Sequence, residues 1–409
     1  MRRSARAIAT PGTILALAAI VAPPVAVLTP LAVAPLLALL AAALLASDGR
    51  RCLVAVRSFA PLAALLALLS VWGALSALWS PIPDHSLFEA GRFLLIGAGG
   101  LFVLGVGASL SATETERLRR AAVIGVAMAV ILLQFELRTG GPLLRVLHRI
   151  PIDEAVPISR YDRGVTFLLL AAWPAAAALA ARGRTVPVLL GALIVGATIF
   201  EFISRASMLA GGIGLAAMLV GWRLPRLVAA LMVGAALVMA VVFPLIAPSG
   251  STIEQVRRGA PMLQESAIHR LIIWRFIAER IAERPVLGWG MDAARAIPGG
   301  TAHASDVMPE VKLTGVVTML PLHPHDAALQ WRLELGLPGA LLCLAILGLV
   351  LRRVAGSPRP PPQRALALGC AAAVLTIAML SFGAWQAWWL SSIWLTAALL
   401  AGVQPRPVS

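Results

Sequence analysis

The feature that most constrains this chain is a series of long apolar segments. They recur at residues 12–29, 31–47, 60–79, 92–110, 120–136, 164–181, 186–203, 205–222, 226–247, 325–351, 364–383 and 385–402. A helix of about 20 apolar residues crosses the roughly 30 Å hydrocarbon core of a bilayer. Because that core offers no water to backbone N–H and C=O groups, each crossing segment must be a helix. The sequence therefore predicts an all-α polytopic membrane protein with about twelve transmembrane helices.

The overall composition supports this fold class. Hydrophobic residues make up 59% of the chain and charged residues 13%, and the mean hydropathy is +0.88. Soluble domains carry about 25% charged residues, so this composition excludes an ordinary soluble protein. The first apolar segment follows MRRSARA and resembles a signal peptide, but no small-residue cleavage site separates it from the next apolar segment. We interpret it as a retained first helix.

The positions of the basic residues predict the topology. The net charge of +15 would by itself suggest a nucleic-acid partner. Most arginines, however, fall in alternate connections between the apolar segments, which the positive-inside rule assigns to the cytoplasm. These arginines are Arg2, Arg3, Arg6, Arg50, Arg51, Arg57, Arg117, Arg119, Arg120, Arg182, Arg184, Arg223, Arg226, Arg352, Arg353, Arg359, Arg364 and Arg406. The charge thus reflects membrane topology, and we expect no nucleic-acid partner.

Twelve spans with this charge pattern place both termini in the cytoplasm and residues 137–163 and 248–322 on the outer face. We expect a single integral-membrane domain. Residues 1–247 would hold helices one to nine, residues 248–322 a loop with an amphipathic helix, and residues 323–409 helices ten to twelve.

A few cations stand where an outer connection meets an apolar segment. Arg92, Arg163 and Arg205 are predicted to open the fourth, sixth and eighth spans. A cation opposes the positive end of the helix dipole, so its repetition at helix N-termini favours a bound anion. Snorkelling of these side chains to the interface is the alternative. Asp162 and Ser204 are expected to be the N-cap residues of two of these helices.

The outer loop contains one clear helical pattern, QESAIHRLIIWRFIAERIAERP, which ends at Pro285. Helical spacing puts Arg275 on one face with Ile268 and Ile272, so this arginine should project from an apolar stripe. Arg270 falls on another face, which indicates an ordinary contact with the surface or with lipid headgroups.

The segment HPHD precedes the tenth span. His323 is expected to be extended because Pro324 follows it, and His325 should begin the helix with Asp326 in its first turn. Three interpretations remain open: interfacial hydrogen bonding, a metal site, and a histidine acting as general base beside arginines that hold a phosphate leaving group. The HExxH and cysteine–histidine spacings of common metal sites are missing.

The helix that follows HPHD carries two further patterns. Asp326, Gln330 and Glu334 are spaced four apart and share a face. The segment ELGLPG, with Gly336 and Pro338, predicts a kink.

Several motifs resemble those of the O-antigen ligase family, polytopic inner-membrane glycosyltransferases related to O-antigen polymerases. They are ALWSPIPDHSLFEAGR, DRG, SRAS, WRFIAERIAERPVLGWG, HPHDAALQWRLELGLPG and SFGAWQAWWLSSIWL. The resemblance implies a GT-C-like fold and an undecaprenyl-diphosphate-linked glycan donor. It further implies inverting transfer to a sugar hydroxyl of the lipid A core, at the periplasmic face of the bacterial inner membrane, without metal or cofactor.

The resemblance also implies roles for individual residues. Arg205, Arg275 and His325 match the catalytic positions, and Arg163 matches an arginine that assists donor binding. The further candidates for substrate binding are His323, Asp326 and Arg92. Asp162 and Asp326 depart from the family pattern, in which asparagine is expected. Asp326 could pair with His325 and raise its basicity, or cap the helix; both remain open.

Three other functions remain possible from sequence. An O-antigen or exopolysaccharide polymerase would share the donor chemistry and use another lipid-linked glycan as acceptor. A transporter of anionic lipid or solute would place such arginines near the bilayer midplane on broken helices, whereas here they gather at one face. A non-catalytic envelope assembly protein is the third.

Overall fold

The computed structural model describes residues 10–313 and 315–404, and the side chains among them except those of residues 50–53 and 55. Four of the arginines used for the topology prediction, Arg2, Arg3, Arg6 and Arg406, lie outside the described residues. The described part is all-α: its only β-type pairing is an isolated bridge between His303 and Thr318.

The α-helices follow one another in chain order. They are α1 Pro11–Leu28, α2 Val33–Arg57, α3 Ala60–Leu75, α4 Pro83–Ala108, α5 Ala112–Thr139, α6 Pro142–His148, α7 Asp162–Ala180, α8 Thr185–Glu201, α9 Arg205–Gly221, α10 Pro225–Leu237, α11 Phe243–Ile246, α12 Gly250–Gly259, α13 Glu265–Glu283, α14 Ala304–Val307, α15 Ala327–Ala355, α16 Pro361–Leu380 and α17 Ala387–Val403. A π-helical turn, Val238–Val242, joins α10 to α11. Short 3₁₀ turns lie at Pro30–Ala32, Ser76–Leu78, Ile158–Tyr161 and Ala294–Ala296.

All twelve apolar segments are helical, which confirms the predicted fold class. Within the described ranges, nine helices are long and apolar enough to cross a membrane. The other three are α8, α9 and α17, apolar helices of 17 residues each. At about 1.5 Å per residue they are only slightly shorter than the hydrocarbon core.

Close helix contacts build the bundle around α7, whose span is the most enclosed of those long enough to cross a membrane. α1 packs along α5, α4 lies between α2 and α17, and α9 packs along α16. A Cβ atom at Gly125 would fall 2.0 Å from the Ala19 carbonyl oxygen, so the contact between α5 and α1 requires a glycine. Small residues allow such close approach where lipid gives no hydrophobic driving force.

Two helix starts differ from the sequence prediction. α4 begins at Pro83, so Arg92 lies in its third turn instead of opening the helix. Hydropathy does not predict that α4 includes these first turns, because they carry polar residues. Ser86 and Glu89 are nevertheless buried, and Ser86 donates a hydrogen bond to the Met291 carbonyl. α15 begins at Ala327, so His325 precedes the helix instead of beginning it. The predicted kink is present at Gly336, whose φ of +62° interrupts α15.

The predicted amphipathic helix of the loop is α13, which ends two residues before Pro285. Residues of α12 and α13 form a small apolar core with the first turns of α15, including Ile253, Ile272, Ile277, Leu329 and Leu333. This core fixes α13 beside the start of α15, where the HPHD segment lies.

Candidate active site

His325 is held by the connection between α16 and α17. Its Nδ1 atom lies 2.7 Å from the carbonyl oxygen of Ser381. A carbonyl only accepts, so Nδ1 carries the proton and donates it to Ser381. In the neutral ring Nε2 is then left with its lone pair, which is the form that can accept a proton.

The backbone of His325 is in the left-handed region, with a φ of +58°. Such a conformation is uncommon for a residue other than glycine and persists only where the surroundings enforce it. Ile203, two residues before Arg205, is also left-handed, with a φ of +53°. Thus two segments that carry predicted site residues contain backbone strain.

His323 packs against His325, with ring centroids 4.3 Å apart. The backbone N–H of His325 donates to Nδ1 of His323 at 3.3 Å, so Nδ1 of His323 is an acceptor, whereas Nδ1 of His325 is a donor. The ring rests on Gly383, where an added Cβ would lie 3.2 Å from the His323 side chain. The two histidines therefore form one unit with the connection at residues 381–386.

Asp326 is the N-cap of α15. Its carboxylate accepts the Leu329 N–H at 2.8 Å, and only 1% of the residue is exposed. Since Nδ1 of His325 donates to Ser381, Asp326 acts as a helix cap, which settles the alternative that the sequence left open.

Arg163 and Arg205 lie at the starts of α7 and α9, as the sequence predicts. Both are exposed, and among the described residues neither pairs with a carboxylate. Arg163 lies over the ring of Trp388, 5.7 Å from its centroid, and its charge acts on His323. The two helix starts are joined by a 3.1 Å hydrogen bond between Thr166 and Ser207.

The predicted N-caps of these helices differ in detail. Asp162 is the first residue of α7 and follows the N-cap position. Ser204 occupies the N-cap of α9, but its hydroxyl donates to Ser207 Oγ at 3.0 Å instead of capping the backbone. Within the described part of the chain, neither helix start is therefore capped by a side chain.

Arg270 belongs to the site, contrary to the sequence interpretation of an ordinary surface contact. Its Nε donates to the carbonyl of Leu380 at 3.0 Å, next to the Ser381 carbonyl that holds His325. Its charge acts on both His323 and His325. The helical pattern missed it because its partner carbonyl lies 110 residues away.

Arg275 lies five residues further along α13. It forms an ion pair with Glu279, with Nε and Oε1 2.8 Å apart, and donates to the Ala247 carbonyl at 3.3 Å. The neighbouring Trp274 donates from Nε1 to the carbonyl of Pro324 at 3.1 Å. α13 thus anchors the HPHD segment directly, while Arg275 itself is engaged with Glu279.

Arg92 lies within α4 and its guanidinium has two partners. It pairs with the buried carboxylate of Glu89 and donates to the Trp385 carbonyl at 3.3 Å. Arg92 therefore contacts the same 381–386 connection that holds the histidines.

His323 and His325 are both neutral at pH 7. Burial is the main cause that lowers the pKa of His323 to about 3, with His325 and Arg163 adding to it. Burial also lowers the pKa of His325 to about 4. The hydrogen bond to Ser381 opposes this shift, whereas the electrostatic effects of Arg270 and His269 add to it. Nε2 of His325 is thus available to accept a proton over the physiological pH range, whereas the lone pair of His323 Nδ1 already accepts the His325 N–H.

His85, Glu89 and Asp292 also form a cluster, with candidate ligand atoms within 4.8 Å of one another. Each carboxylate already has an arginine partner: Glu89 pairs with Arg92, and Asp292 with Arg295 at 2.9 Å. His85 completes the set, 2.8 Å from Asp292. Since two arginines balance two carboxylates, we interpret the cluster as an ion-pair network that joins α4 to the 286–297 segment.

Replacing Arg270 with methionine should move the acid limb of the pH–activity profile to higher pH. The charge of Arg270 disfavours protonation of His325, so its removal lets the ring protonate more readily. The pH dependence of kcat/KM measures this shift. Arg257→Met is the matched control, because Arg257 pairs with Glu254 on α12; an unchanged limb in Arg270→Met would contradict the placement of this charge.

The chain is similar in sequence to several bacterial proteins. A family profile described as O-antigen ligase matches residues 190–344. A Rickettsia conorii protein provisionally named a polysaccharide ligase is 30% identical over 312 residues, which cover 75% of this chain and 72% of that protein. A Rickettsia prowazekii protein with the same provisional name is 26% identical over 339 residues, covering 83% and 80% of the two chains. The profile match includes α9, α13 and the HPHD segment.

Proposed function

Because this chain belongs to the O-antigen ligase family and is therefore a glycan-transferring membrane enzyme, we propose that it is an O-antigen ligase. It moves a glycan from an undecaprenyl-diphosphate-linked donor to a sugar hydroxyl of the lipid A core. The observation that carries this proposal is the bond from His325 to Ser381, which leaves Nε2 of a neutral histidine free to accept a proton.

The donor headgroup binds at the starts of α7 and α9. Arg163 and Arg205 are exposed there, and each helix start adds unpaired N–H groups to the same anion site. Arginine presents a planar fork of donors that suits a diphosphate. Arg275 would join them if the donor displaces Glu279 from its guanidinium.

An apolar groove of about 860 Å³ supports a lipid-linked donor. It lies between α5, α7, α8 and α9, and its lining includes Ser207 and Met208 in the first turn of α9. An isoprenoid chain in this groove would bring its diphosphate to Arg205. The groove and the arginine thus fit the two ends of one amphiphilic molecule.

The transfer step follows from these placements. Nε2 of His325 takes the proton of the acceptor hydroxyl, and the oxygen forms a bond to the anomeric carbon of the donor sugar. The bond between that carbon and the diphosphate oxygen breaks on the opposite side, so the anomeric configuration inverts. The diphosphate leaves with the electron pair, and the arginines stabilise its added charge.

The arginine distribution supports a reaction at the periplasmic side of the bacterial inner membrane. The arginines assigned to the cytoplasm by the positive-inside rule include Arg117, Arg182 and Arg223, which lie near the ends of α5, α7 and α9 away from the site. Both termini then lie in the cytoplasm.

A ligase and a polymerase differ in the acceptor that they use. Purified protein in lipid nanodiscs is given a defined undecaprenyl-diphosphate glycan together with lipid A core. We expect one glycan joined to the core. A product in which one lipid-linked glycan has been added to another would instead identify a polymerase, and the absence of transfer to either acceptor would contradict the proposal.

Transfer should not require a divalent metal. The arginines neutralise the leaving diphosphate in the way that a metal ion does in other phosphate chemistry. Turnover is therefore expected to be the same with EDTA as with added Mg²⁺ or Mn²⁺. Loss of activity in EDTA that Mg²⁺ or Mn²⁺ restores would contradict this part of the mechanism and direct attention to His85, Glu89 and Asp292.

A further inference from the structure

A buried polar network lies on the face of α15 that follows Asp326. Gln330 and Glu334 are both 0% exposed. The Glu334 carboxylate accepts four hydrogen bonds: from Gln330 Nε2 at 3.0 Å, Trp385 Nε1 at 2.6 Å, and the backbone N–H groups of Asp292 at 2.8 Å and Ala294 at 3.3 Å. All of these donors are buried with it, so the network is closed.

The network ends at the connection that holds His325. Gln330 Oε1 accepts the backbone N–H of Ala384 at 2.8 Å, and Glu334 accepts from the side chain of Trp385. These two bonds fix residues 384 and 385, three and four positions beyond the carbonyl of Ser381. That carbonyl is the group that receives the Nδ1 proton of His325.

Stability alone gives a poor reason for this arrangement. Burying a carboxylate is costly, and well-packed apolar residues often serve a core position as well or better. A fully bonded polar network, by contrast, specifies one geometry for the segments that it joins. Here those segments are α15, the 292–294 segment and the 381–386 connection.

We propose that Gln330 and Glu334 are positioning residues for His325. They hold the 381–386 connection so that the Ser381 carbonyl fixes the Nδ1–H tautomer of His325 and keeps Nε2 directed to the acceptor hydroxyl. This inference rests on the proposed function, in which His325 is the base. Neither residue touches the reacting atoms; each acts through the backbone of the connection.

Gln330→Met tests the inference, because methionine keeps the length of the side chain and removes the acceptor for Ala384 N–H. Turnover should fall about 100-fold, as a small displacement of a reacting group can cost that much, while the KM for the donor stays unchanged. The acid limb of the kcat/KM profile should move to higher pH as water reaches the loosened His325 ring.

Glu334→Gln should change the same quantities, since an amide group places a donor where the carboxylate accepts. Its matched control is Glu114→Gln. Glu114 is likewise buried and accepts the backbone N–H of Gly12, but it lies at the start of α5 on the opposite end of the bundle. The control should retain wild-type kcat and an unchanged pH profile.

Trp385→Phe keeps the inference testable if the other variants fail to fold. It removes the Nε1–H donor and part of the indole ring system, and it retains an aromatic ring for the edge-on contact with Phe93, at 5.6 Å between centroids. We expect a smaller fall in kcat with the same upward shift of the acid limb. Wild-type kcat and pH profile in folded Gln330→Met and Trp385→Phe would overturn the inference.

A variant of the base separates this failure from failure of the proposed function. If His325→Asn is inactive while the network variants behave as wild type, only the positioning role is wrong. If His325→Asn turns over at the wild-type rate, both the base assignment and the positioning role are wrong.

Discussion

Replacing Arg205 with alanine should lower the turnover of glycan transfer about 10²-fold to 10³-fold, the usual cost of removing one preorganised contact to developing charge. Arg205 is the exposed first residue of α9, two residues before Ser207, which lines the apolar groove that the donor lipid would fill. In the proposed mechanism, its guanidinium and the N–H groups of the helix start act on the same phosphate. The loss is measured as single-turnover transfer from a defined lipid-linked donor.

Two further variants show whether the effect belongs to the site. Arg205→Lys should recover part of the activity, because lysine keeps the charge and loses the planar fork of donors. Arg226→Ala is the matched control, since Arg226 is another exposed arginine in the first turn of an apolar helix, α10, at the opposite end of the bundle. Equal loss in Arg205→Ala and Arg226→Ala would show a general requirement for charge and not a donor site.

Removing the imidazole of His325 should lower turnover about 10²-fold to 10⁴-fold, the range for a positioned general base. Alanine alone is an ambiguous test, because residue 325 has a φ of +58° and asparagine tolerates that conformation better. We therefore expect His325→Asn to fold as the wild type does and to lose the same activity as His325→Ala. Thermal unfolding in detergent checks the first expectation, and single-turnover transfer checks the second.

His148→Asn is the matched control for the base. Its ring also lies against a backbone carbonyl, with Nε2 3.0 Å from Leu28 O, but it lies at the end of α6, outside the histidine pair. Its turnover should equal that of the wild type. Donor binding by His325→Asn should also remain, because Arg163 and Arg205 are unchanged; loss of binding in that variant would contradict the division of roles.

Hydropathy predicts the helices well because membrane crossing depends on local sequence. Arginines beside apolar segments predict the starts of α7 and α9, and the structure confirms both starts. The start of α4 differs from the sequence prediction, because Ser86 is buried against the Met291 carbonyl, far along the chain, and Glu89 is buried beside Arg92. A hydropathy pattern cannot show that a polar residue has such a partner.

The sequence predicts candidate chemistry-bearing residues but not which ring nitrogen of His325 is protonated. Ser381 lies 56 residues from His325, and nothing in HPHD or SFGAW predicts which ring nitrogen donates to it. For the same reason the sequence does not predict the place of Arg270 in the site, because its contact with Leu380 depends on how α13 packs against the bundle. The shared face of Asp326, Gln330 and Glu334 was visible as a spacing of four, but its bonds to the 381–386 connection were not.

The pH dependence of transfer tests most directly the claim that His325 is a partly buried, neutral base. With donor concentration well below its KM, kcat/KM reports the groups of the free enzyme. We predict that it is constant from neutral pH down through the ordinary histidine range near 6.5 and falls with a midpoint near 4, the pKa that burial gives His325. His325→Asn should lack this limb in its residual activity. A wild-type midpoint near 6.5, or the same limb in His325→Asn, would contradict the account.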